Sequence, residues 1–566
     1  MFKEFGIVIA GAVLISAFVS LTLTPVLNVL LSKKQHKPSR FYHATEPFFK
    51  GLENKYKALL DWAIQRKWLA LGTLLVCAVS LVMVFNLLPS ELAPLEDKSQ
   101  FRFNATAPEG TAFDFMDSYT QGLADYFYDS IPERAFVFAS TNNAFSNGGT
   151  NSSFGRVVLV DPSQRSQSQE QVVERVNAGI ARMNDARVFL VQEQTISVGF
   201  GSRGSLPVQF VIQNLDFDKI KQVLPRFLAA ARKQETFQMV DANLKFNKPE
   251  LAIQIDRLKA RALGVHVKDV AQTLQSALSG GRMGYFIMNG RQYQIIGQTA
   301  RDFRDQPSVL SELYVRNDQG QLIGLDQLIL TEERSNPPQL YHYNRYKSAT
   351  ISASLAPGKT IGDGVKTMQG IADSLLDESF SSSLSGPSRD FKESSSNTSF
   401  AFILALVLIY LVLAAQFESF IDPVVIMMTV PLALLGALLS LWLTHGTLNI
   451  FSQIGMIMLI GLVTKNGILI VEFANQKQRE GMDKLSAILE ASVQRLRPIL
   501  MTSLATALGA LPIALSLGAA STSRVPLGVV VVGGIVFSLI LTLLIVPTVY
   551  LFISKSKQHD HQKDTN

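Results

Sequence analysis

The stretch Ile450-Phe-Ser-Gln-Ile-Gly-Met-Ile-Met-Leu-Ile-Gly-Leu-Val-Thr-Lys-Asn-Gly-Ile-Leu-Ile-Val-Glu-Phe-Ala474 decides how the chain is read. It is long and apolar enough to cross a bilayer as a helix, yet it carries Lys465 in its interior. At about 1.5 Å per residue, the lysine lies roughly 22 Å from the start of the run and about 13 Å from its end. A charge at that depth costs roughly 2.5–3.5 kcal/mol on insertion scales, so a carboxylate partner and a function are expected. Glu472 follows two turns later on the same face, about 10 Å along the axis and too far for a good contact. Otherwise the apolar cores of the chain contain no Asp or Glu that would serve as partner. The structural alternative is that Lys465 snorkels toward water or leans on Glu472.

Outward from this run, the 566 residues average two kinds of sequence, with 47% hydrophobic content and a mean hydropathy of +0.20. Residues 96–396 are mixed and polar, as in a soluble globular protein. The flanks carry runs of about 20 or more apolar residues, which predict transmembrane helices. Seven such runs fall at about 7–31, 68–88, 398–416, 421–445, 450–474, 498–519 and 525–553. The first is too long for the apolar core of a signal peptide. Lys33, Lys34, Lys37 and Arg40 follow it where a small-residue cleavage site would stand.

The net charge of +6 concentrates at Lys33 to Arg40, Arg66-Lys67, Lys477 to Arg497, and Lys555 onward. Counting alternate sides places all four clusters on one side, which the positive-inside rule makes cytoplasmic, with the C-terminus. Residues 96–396 then lie on the opposite side, where the absence of any cysteine is compatible with a Gram-negative periplasm and so with helices in the inner membrane. The one cysteine, Cys77, lies in an apolar run and cannot form an intrachain disulfide, which is compatible with that compartment. Topology accounts for the basic charges, so they call for no nucleic acid.

Between the first two runs, Phe48, Phe49, Leu52, Tyr56, Leu59 and Leu60 recur at helical spacing among lysines and acids. This pattern predicts either a helix lying flat on the cytoplasmic leaflet or a linker packed against the bundle. Within the polar region, Phe101-Arg-Phe-Asn-Ala-Thr-Ala-Pro-Glu-Gly-Thr111 is echoed by Ala349-Thr-Ile-Ser-Ala-Ser-Leu-Ala-Pro-Gly-Lys-Thr360. Each reads as a strand, a Pro-Gly turn and an amphipathic helix, with Thr111 or Thr360 as N-cap. Strands at 135–139, 156–160, 188–192 and 208–212 and helices at 168–183 and 217–233 complete two α+β subdomains of βαβ units.

The predicted division is a first transmembrane helix (1–32), a cytoplasmic linker with the interfacial helix (33–67) and a second transmembrane helix (68–90). Paired subdomains (96–250), an insertion (251–345) and a return segment (346–396) follow. Five transmembrane helices (398–553) and a cytoplasmic tail (554–566) end the chain. Serine-rich 381–399 is read as the connection back to the membrane.

Three blocks resemble the resistance–nodulation–division (RND) superfamily, in its hydrophobe/amphiphile multidrug efflux branch. They are Ala414-Ala-Gln-Phe-Glu-Ser419 with Pro423, Gly461-Leu-Val-Thr-Lys-Asn-Gly-Ile-Leu-Ile-Val-Glu-Phe-Ala474, and Arg495-Leu-Arg-Pro-Ile-Leu-Met-Thr-Ser503. Ile255-Asp-Arg257 through Ala262-Leu-Gly-Val265 is also similar. The resemblance covers essentially the whole chain but only about half of the family architecture, as spans six to twelve with the second periplasmic loop. It implies porter subdomains at about 100–205 and at 206–250 with 346–396, and a docking-type module at about 251–345. It implies no cofactor, with the proton motive force as energy source.

The implied partners are an N-terminal half, a homotrimer of the complete pump, a periplasmic adaptor, an outer-membrane channel and amphiphilic small molecules. The resemblance assigns Lys465, Arg495 and Thr502 to a proton relay in which Lys465 pairs with aspartates of a span outside this sequence. Read structurally, Arg495 is a positive-inside anchor and Thr502 caps a backbone carbonyl. The segment Thr141 to Gly155 reads as a flexible loop similar to the family's gating loop, with Phe145, Gly148, Gly149 and Phe154 as candidate substrate contacts. The alternative is an ordinary Gly/Asn connector.

Met427, Met428, Met456 and Met458 form no ladder for a soft metal, and the seven histidines show no metal-ligand spacing. There is no G-x-x-x-x-G-K-[ST] phosphate loop. The expectation is the C-terminal portion of a proton-driven exporter of amphiphiles, not an enzyme. The alternatives are a split or truncated product inactive by itself, or an RND relative handling lipids or assisting protein translocation.

Overall fold

The computed structural model describes residues 2–31, 40–142, 149–192, 194, 206–304, 306–337, 339–516 and 522–554. The chain opens with α1 (Phe2–Leu31), α2 (Arg40–Gln65) and α3 (Lys67–Leu87). No described side chain of α1 is buried. The helix α2 meets the bundle, as the packed alternative of the two expects. It packs Tyr56, Leu60 and Ile64 into the bundle core while Phe48, Leu59 and Trp62 stay exposed.

Two small units follow, and they share one topology. The first is β1 (Gln100–Thr106), α4 (Phe113–Ser130), β2 (Arg134–Thr141), β3 (Ser152–Leu159), α5 (Gln169–Ile180) and β4 (Arg187–Gln192). Its sheet runs β2-β3-β1-β4, all antiparallel. Each strand–helix–strand unit is therefore split by an intervening strand.

The second unit begins with β5 (Val208–Asn214), α6 (Phe217–Arg232) and β6 (Phe237–Ala242). An insertion comes next: β7 (Lys248–Ile255), α7 (Arg257–Ala262), α8 (Val267–Leu274), a β8 (Gly281–Met288) and β9 (Arg291–Gly297) hairpin, β10 (Tyr314–Arg316), β11 (Leu322–Gly324) and β12 (Ile329–Asn336). The strands β7 and β12 pair antiparallel from Ile255↔Ile329 to Lys248↔Asn336 and close the insertion at its root. The unit resumes with β13 (Tyr341–Tyr343), β14 (Tyr346–Leu355), α9 (Ile361–Leu375) and β15 (Ser381–Leu384). Here β14 separates β5 from β6, and β5 separates β14 from β15, as in the first unit.

The repeated Pro-Gly turns lead from β1 into α4 and from β14 into α9, with Gly110 at φ +90° and Gly358 at φ +76°, the left-handed region glycine enters without a Cβ penalty. Thr360 is the N-cap of α9, and its backbone N–H and hydroxyl both donate to Asp363. Thr111 differs from expectation. Its hydroxyl donates to the Pro108 carbonyl at 2.7 Å, closing the turn, and Ala112 is the N-cap of α4.

The remaining helices are α10 (Gly386–Phe417), α11 (Asp422–Met427), α12 (Thr429–Leu443), α13 (Ile450–Arg479), α14 (Lys484–Ala514) and α15 (Val525–Ile553). Seven stretches, with α11 and α12 counted together, are long and apolar enough to span a membrane. Three details depart from the apolar runs. Serine-rich 386–399 is helix, and its hydroxyls are satisfied by the preceding turn: Ser396 bonds Glu393 O, Thr398 bonds Ser394 O and Ser399 bonds Ser395 O at 2.9–3.0 Å. The 421–445 run breaks at Met428, where Pro431 lacks the N–H that would bond the Met427 carbonyl. The helix α14 begins at Lys484, well before the apolar run near 498.

The helix α15 is the hub of the bundle, with partners approaching on glycines. A Cβ on Gly436 would lie 2.4 Å from Phe537 Cβ, and one on Gly534 would lie 2.2 Å from a Leu459 methyl.

Candidate functional site

The exposed positions of α13 include Gly461, Lys465, Glu472, Gln476 and Arg479, which fall on one face at helical spacing. Its other faces bury Leu459, Val463, Ile470, Val471 and Ala474 against the bundle. Among the described residues, neither Lys465 nor Glu472 makes a hydrogen bond or an ion pair. Lys465 therefore does not lean on Glu472; both face outward from the bundle.

The helices α13 and α14 run antiparallel, and two contacts fix their register. Asn466 Nδ2 donates to Ser503 Oγ at 3.3 Å, and the Arg495 guanidinium lies 4.4 Å from the Phe473 ring centroid. Asn466, Phe473 and Ser503 are the chain neighbours of Lys465, Glu472 and Thr502, respectively. Thr502 thus stands at the level of Lys465, and Arg495 at the level of Glu472. The Thr502 hydroxyl donates to the Ile499 carbonyl at 3.3 Å. Arg495 Nε is buried without a hydrogen-bond partner among the described residues. Three residues named from sequence are gathered along one side of the α13–α14 seam.

The candidate substrate contacts fare differently. Phe145 and Gly148 lie outside the described residues. Gly149 is exposed, and its carbonyl accepts from the Ser152 N–H and hydroxyl. Phe154 is not in a loop: β3 begins at Ser152, so Phe154 sits inside a strand, paired with Asn104 and Ser140. Its ring meets Phe138 edge-on at 5.9 Å.

Strand register shows what else shares that face. The helix-covered face of the first sheet carries Phe101, Phe103, Val157 and Leu159, all buried. The other face carries Phe136 and Phe138 from β2, Phe154 and Arg156 from β3, Arg102 from β1 and Phe189 from β4. Sequence reasoning missed Phe136, Phe138 and Phe189. Period-two alternation held the signal, but alternation does not say which face a helix covers. A cavity of about 300 Å³ lies between the two units, lined in part by Ile180, Met183, Leu190 and Met239. The Arg187–Asp241 ion pair, 3.1 Å, ties one unit to the other.

Two polar assemblies also escaped the sequence. The connection from α3 to β1 is zipped beside the start of α13: Glu91 N–H donates to Leu448 O, Leu448 N–H to Pro89 O, and Ile450 N–H to Leu92 O. Thr447 donates to the Glu91 carboxylate at 2.5 Å. Burial pushes the Glu91 carboxyl above the ordinary glutamate range. The same strap reaches both units. Gly362 N–H donates to Ser90 O, and Asp97 accepts from Arg165 and from the Gln169 N–H. Burial alone would raise the Asp97 carboxyl, but Arg165 with the Gln169 and Ser99 N–H groups overcomes it and holds the group below the ordinary range.

At the far end of the bundle Asp422 is buried and accepts from Ser554 Oγ at 2.9 Å and Asn475 Nδ2 at 3.2 Å. Tyr550 donates to Asn475 Oδ1, and Gln478 donates to Tyr550. Asp422 opens the 421–445 run, so sequence alone gave no sign that α13 and α15 enclose it.

Helices of membrane length around a hub, with an α+β region outside them and a lysine facing outward within a span, define a polytopic membrane transporter of the kind the sequence blocks resemble. The chain matches the AcrB/AcrD/AcrF family over residues 1–554 and belongs to that family, within the RND superfamily. It is 32% identical over 562 residues to an uncharacterized transporter of Haemophilus influenzae, a match covering 98% of this chain and 54% of that protein. The chain thus spans about half the length of that relative.

Proposed function

We propose that this chain supplies the C-terminal membrane bundle and second extramembrane region of a proton-driven RND exporter of amphiphilic molecules. The observation that carries the reading is the outward stripe of α13, where Lys465 stands at membrane depth without a partner among the described residues. Lipid is a poor neighbour for an ammonium, so that face belongs against a second helical bundle that brings carboxylates.

A carboxylate beside Lys465 has a lowered pKa, and moving it away raises the pKa again. Alternating the two arrangements loads a proton from one side and releases it to the other. Arg495, with its buried unbonded Nε, and Thr502 extend the polar path along the α13–α14 seam. In this reading the two α+β units are porter subdomains and the 251–345 insertion is a docking module.

Phe136, Phe138 and Phe154 offer rings, and Arg102 and Arg156 offer charge, to amphiphilic cargo on the uncovered face of the first sheet. Phe145, Gly148 and Gly149, from the segment that joins β2 to β3 in sequence, are the further candidate cargo contacts. The large region would be periplasmic, the bundle in the inner membrane, and the complete pump a trimer feeding an adaptor and outer-membrane channel. Co-expression with a bundle bearing paired intramembrane aspartates is expected to confer proton-dependent dye export that Lys465→Ala abolishes. Export that survives Lys465→Ala, or that ignores the proton gradient, sinks the reading.

A further inference from the structure

The helix α2 sorts its charges. Its acids Glu46, Glu53 and Asp61 are turned inward, and Arg497 of α14 holds two of them: its Nη1 lies 3.0 Å from Glu46 and its Nε 2.5 Å from Glu53. The Arg497 guanidinium also lies 5.2 Å from the Phe49 ring centroid. Among the described side chains from Glu46 to Arg66, every exposed charge is a cation: Lys50, Lys55, Lys57 and Arg66. Lys55 and Lys57 have no partner among the described residues. Exposed apolar side chains alternate with these cations, with Phe48, Lys55, Leu59, Trp62 and Arg66 forming one stripe at helical spacing. Arg66 lies 5.1 Å from the Trp62 ring centroid.

The depth of α2 fits a membrane boundary. The Tyr56 hydroxyl donates to the Leu543 carbonyl at 2.7 Å, and α15 continues from there to Ile553, about 15 Å further. The strap that reaches the two sheets lies at the opposite end, beside the start of α13.

We propose that the outward face of α2 is a docking surface for the anionic phospholipid headgroups of the leaflet remote from the two sheets. Phe48, Leu59 and Trp62 enter the acyl boundary, and the four cations meet phosphodiester oxygens. Net charge decides between lipid classes. A zwitterionic surface satisfies the apolar side chains but offers these cations no net countercharge, whereas an anionic surface does both.

The test places the full chain in nanodiscs of phosphatidylcholine, alone or with about one third phosphatidylglycerol, and follows hydrogen exchange of the α2 amides. Exchange is expected to slow in the anionic discs by at least about five-fold, the factor given by ~1 kcal/mol for a single basic side chain near an anionic surface. High salt is expected to remove the difference, as is the combined Lys50→Gln, Lys55→Gln, Lys57→Gln and Arg66→Gln variant. Should that variant fail to assemble, Lys55→Glu with Lys57→Glu, which brings the exposed charge of this face from four cations to net zero, is expected to abolish the lipid preference. Equal exchange of the unmodified chain in the two lipids overturns the proposal, as does a preference that the double charge reversal leaves intact. Lys465→Ala is expected to leave the preference unchanged, so failure of the transport reading and failure of this one are told apart.

Discussion

The two α+β units repeat one topology on two different outer faces. Both sheets turn an apolar face to their helices: Phe101, Phe103 and Ala105 in the first, Val208, Phe210 and Ile212 in the second. On the opposite face the first presents Phe136, Phe138, Phe154, Arg102 and Arg156. The second presents Gln209, Gln213, Ser352, Ser354 and Ser383. Inner faces and Pro-Gly turns are enough to specify the split topology, so the outer faces were free to diverge. Difference in chemistry between two equal frames is where function is to be sought.

The comparison is broken most severely from the inside. Gly155 lies under the Phe103 ring, and a Cβ there would fall 2.2 Å from both that ring and the Phe138 carbonyl. Gly155→Ala, or Phe103→Ala, is expected to cost about 3–5 kcal/mol in the first unit. Hydrogen exchange resolved by unit checks this, and the second unit should stay protected. Phe210→Ala is the mirror experiment, with the effect confined to the second.

A smaller effect separates the units at the strap. Arg165→Ala leaves Asp97 half-buried without its guanidinium and is expected to cost about 2 kcal/mol in the first unit. Because the folded-state pKa of Asp97 is depressed, its stabilisation is present above the unfolded value of about 3.9 and is lost as pH falls through the folded value. That acid-sensitive step should flatten in Arg165→Ala when unfolding is followed against pH.

Glu91 has the opposite sign. Its folded pKa is raised, so its contribution is full below about 4.3 and is lost as pH rises through the folded value. Protection of the Leu448 and Ile450 amides should therefore increase on mild acidification, and Glu91→Gln should remove the pH dependence. Unchanged protection across that range would refute a protonatable strap.

The outer faces give the smallest effect on stability and the sharpest on activity. Phe138→Ala with Phe154→Ala is expected to lower stability by about 1 kcal/mol, the scale of an exposed aromatic pair. Export by the assembled pump should fall several-fold. Ser352→Ala on the second sheet should change neither, and equal losses of export from both faces would remove the functional contrast.

Much of the bundle was legible because a bilayer imposes a length rule that a linear pattern satisfies or fails. The runs near 7–31, 450–474 and 525–553 became helices with nearly those bounds. The serine tract 386–399 was read only as the connection back to the membrane; that it extends α10 ahead of the apolar run was not legible, since its hydroxyls look polar in sequence. Phe154 was assigned to a loop because Gly and Asn before it mark a turn, and nothing local says where pairing to β1 resumes. Lys465, Arg495 and Thr502 were named from motif blocks. Their common seam appeared only with the Asn466–Ser503 and Arg495–Phe473 contacts.

By itself the sequence determined the number of long apolar helices, the charge within the apolar run of one of them, and the paired strand–turn–helix repeats. Each follows from local periodicity and solvation, which act along the chain. Tertiary structure alone decided that Lys465 faces away from its own bundle, that α2 turns its acids inward, and that Asp422 is enclosed by α13 and α15. It also decided that one sheet leaves its phenylalanines uncovered. These are relations between segments up to hundreds of residues apart, and a side chain's environment is set by whichever distant surface folds against it.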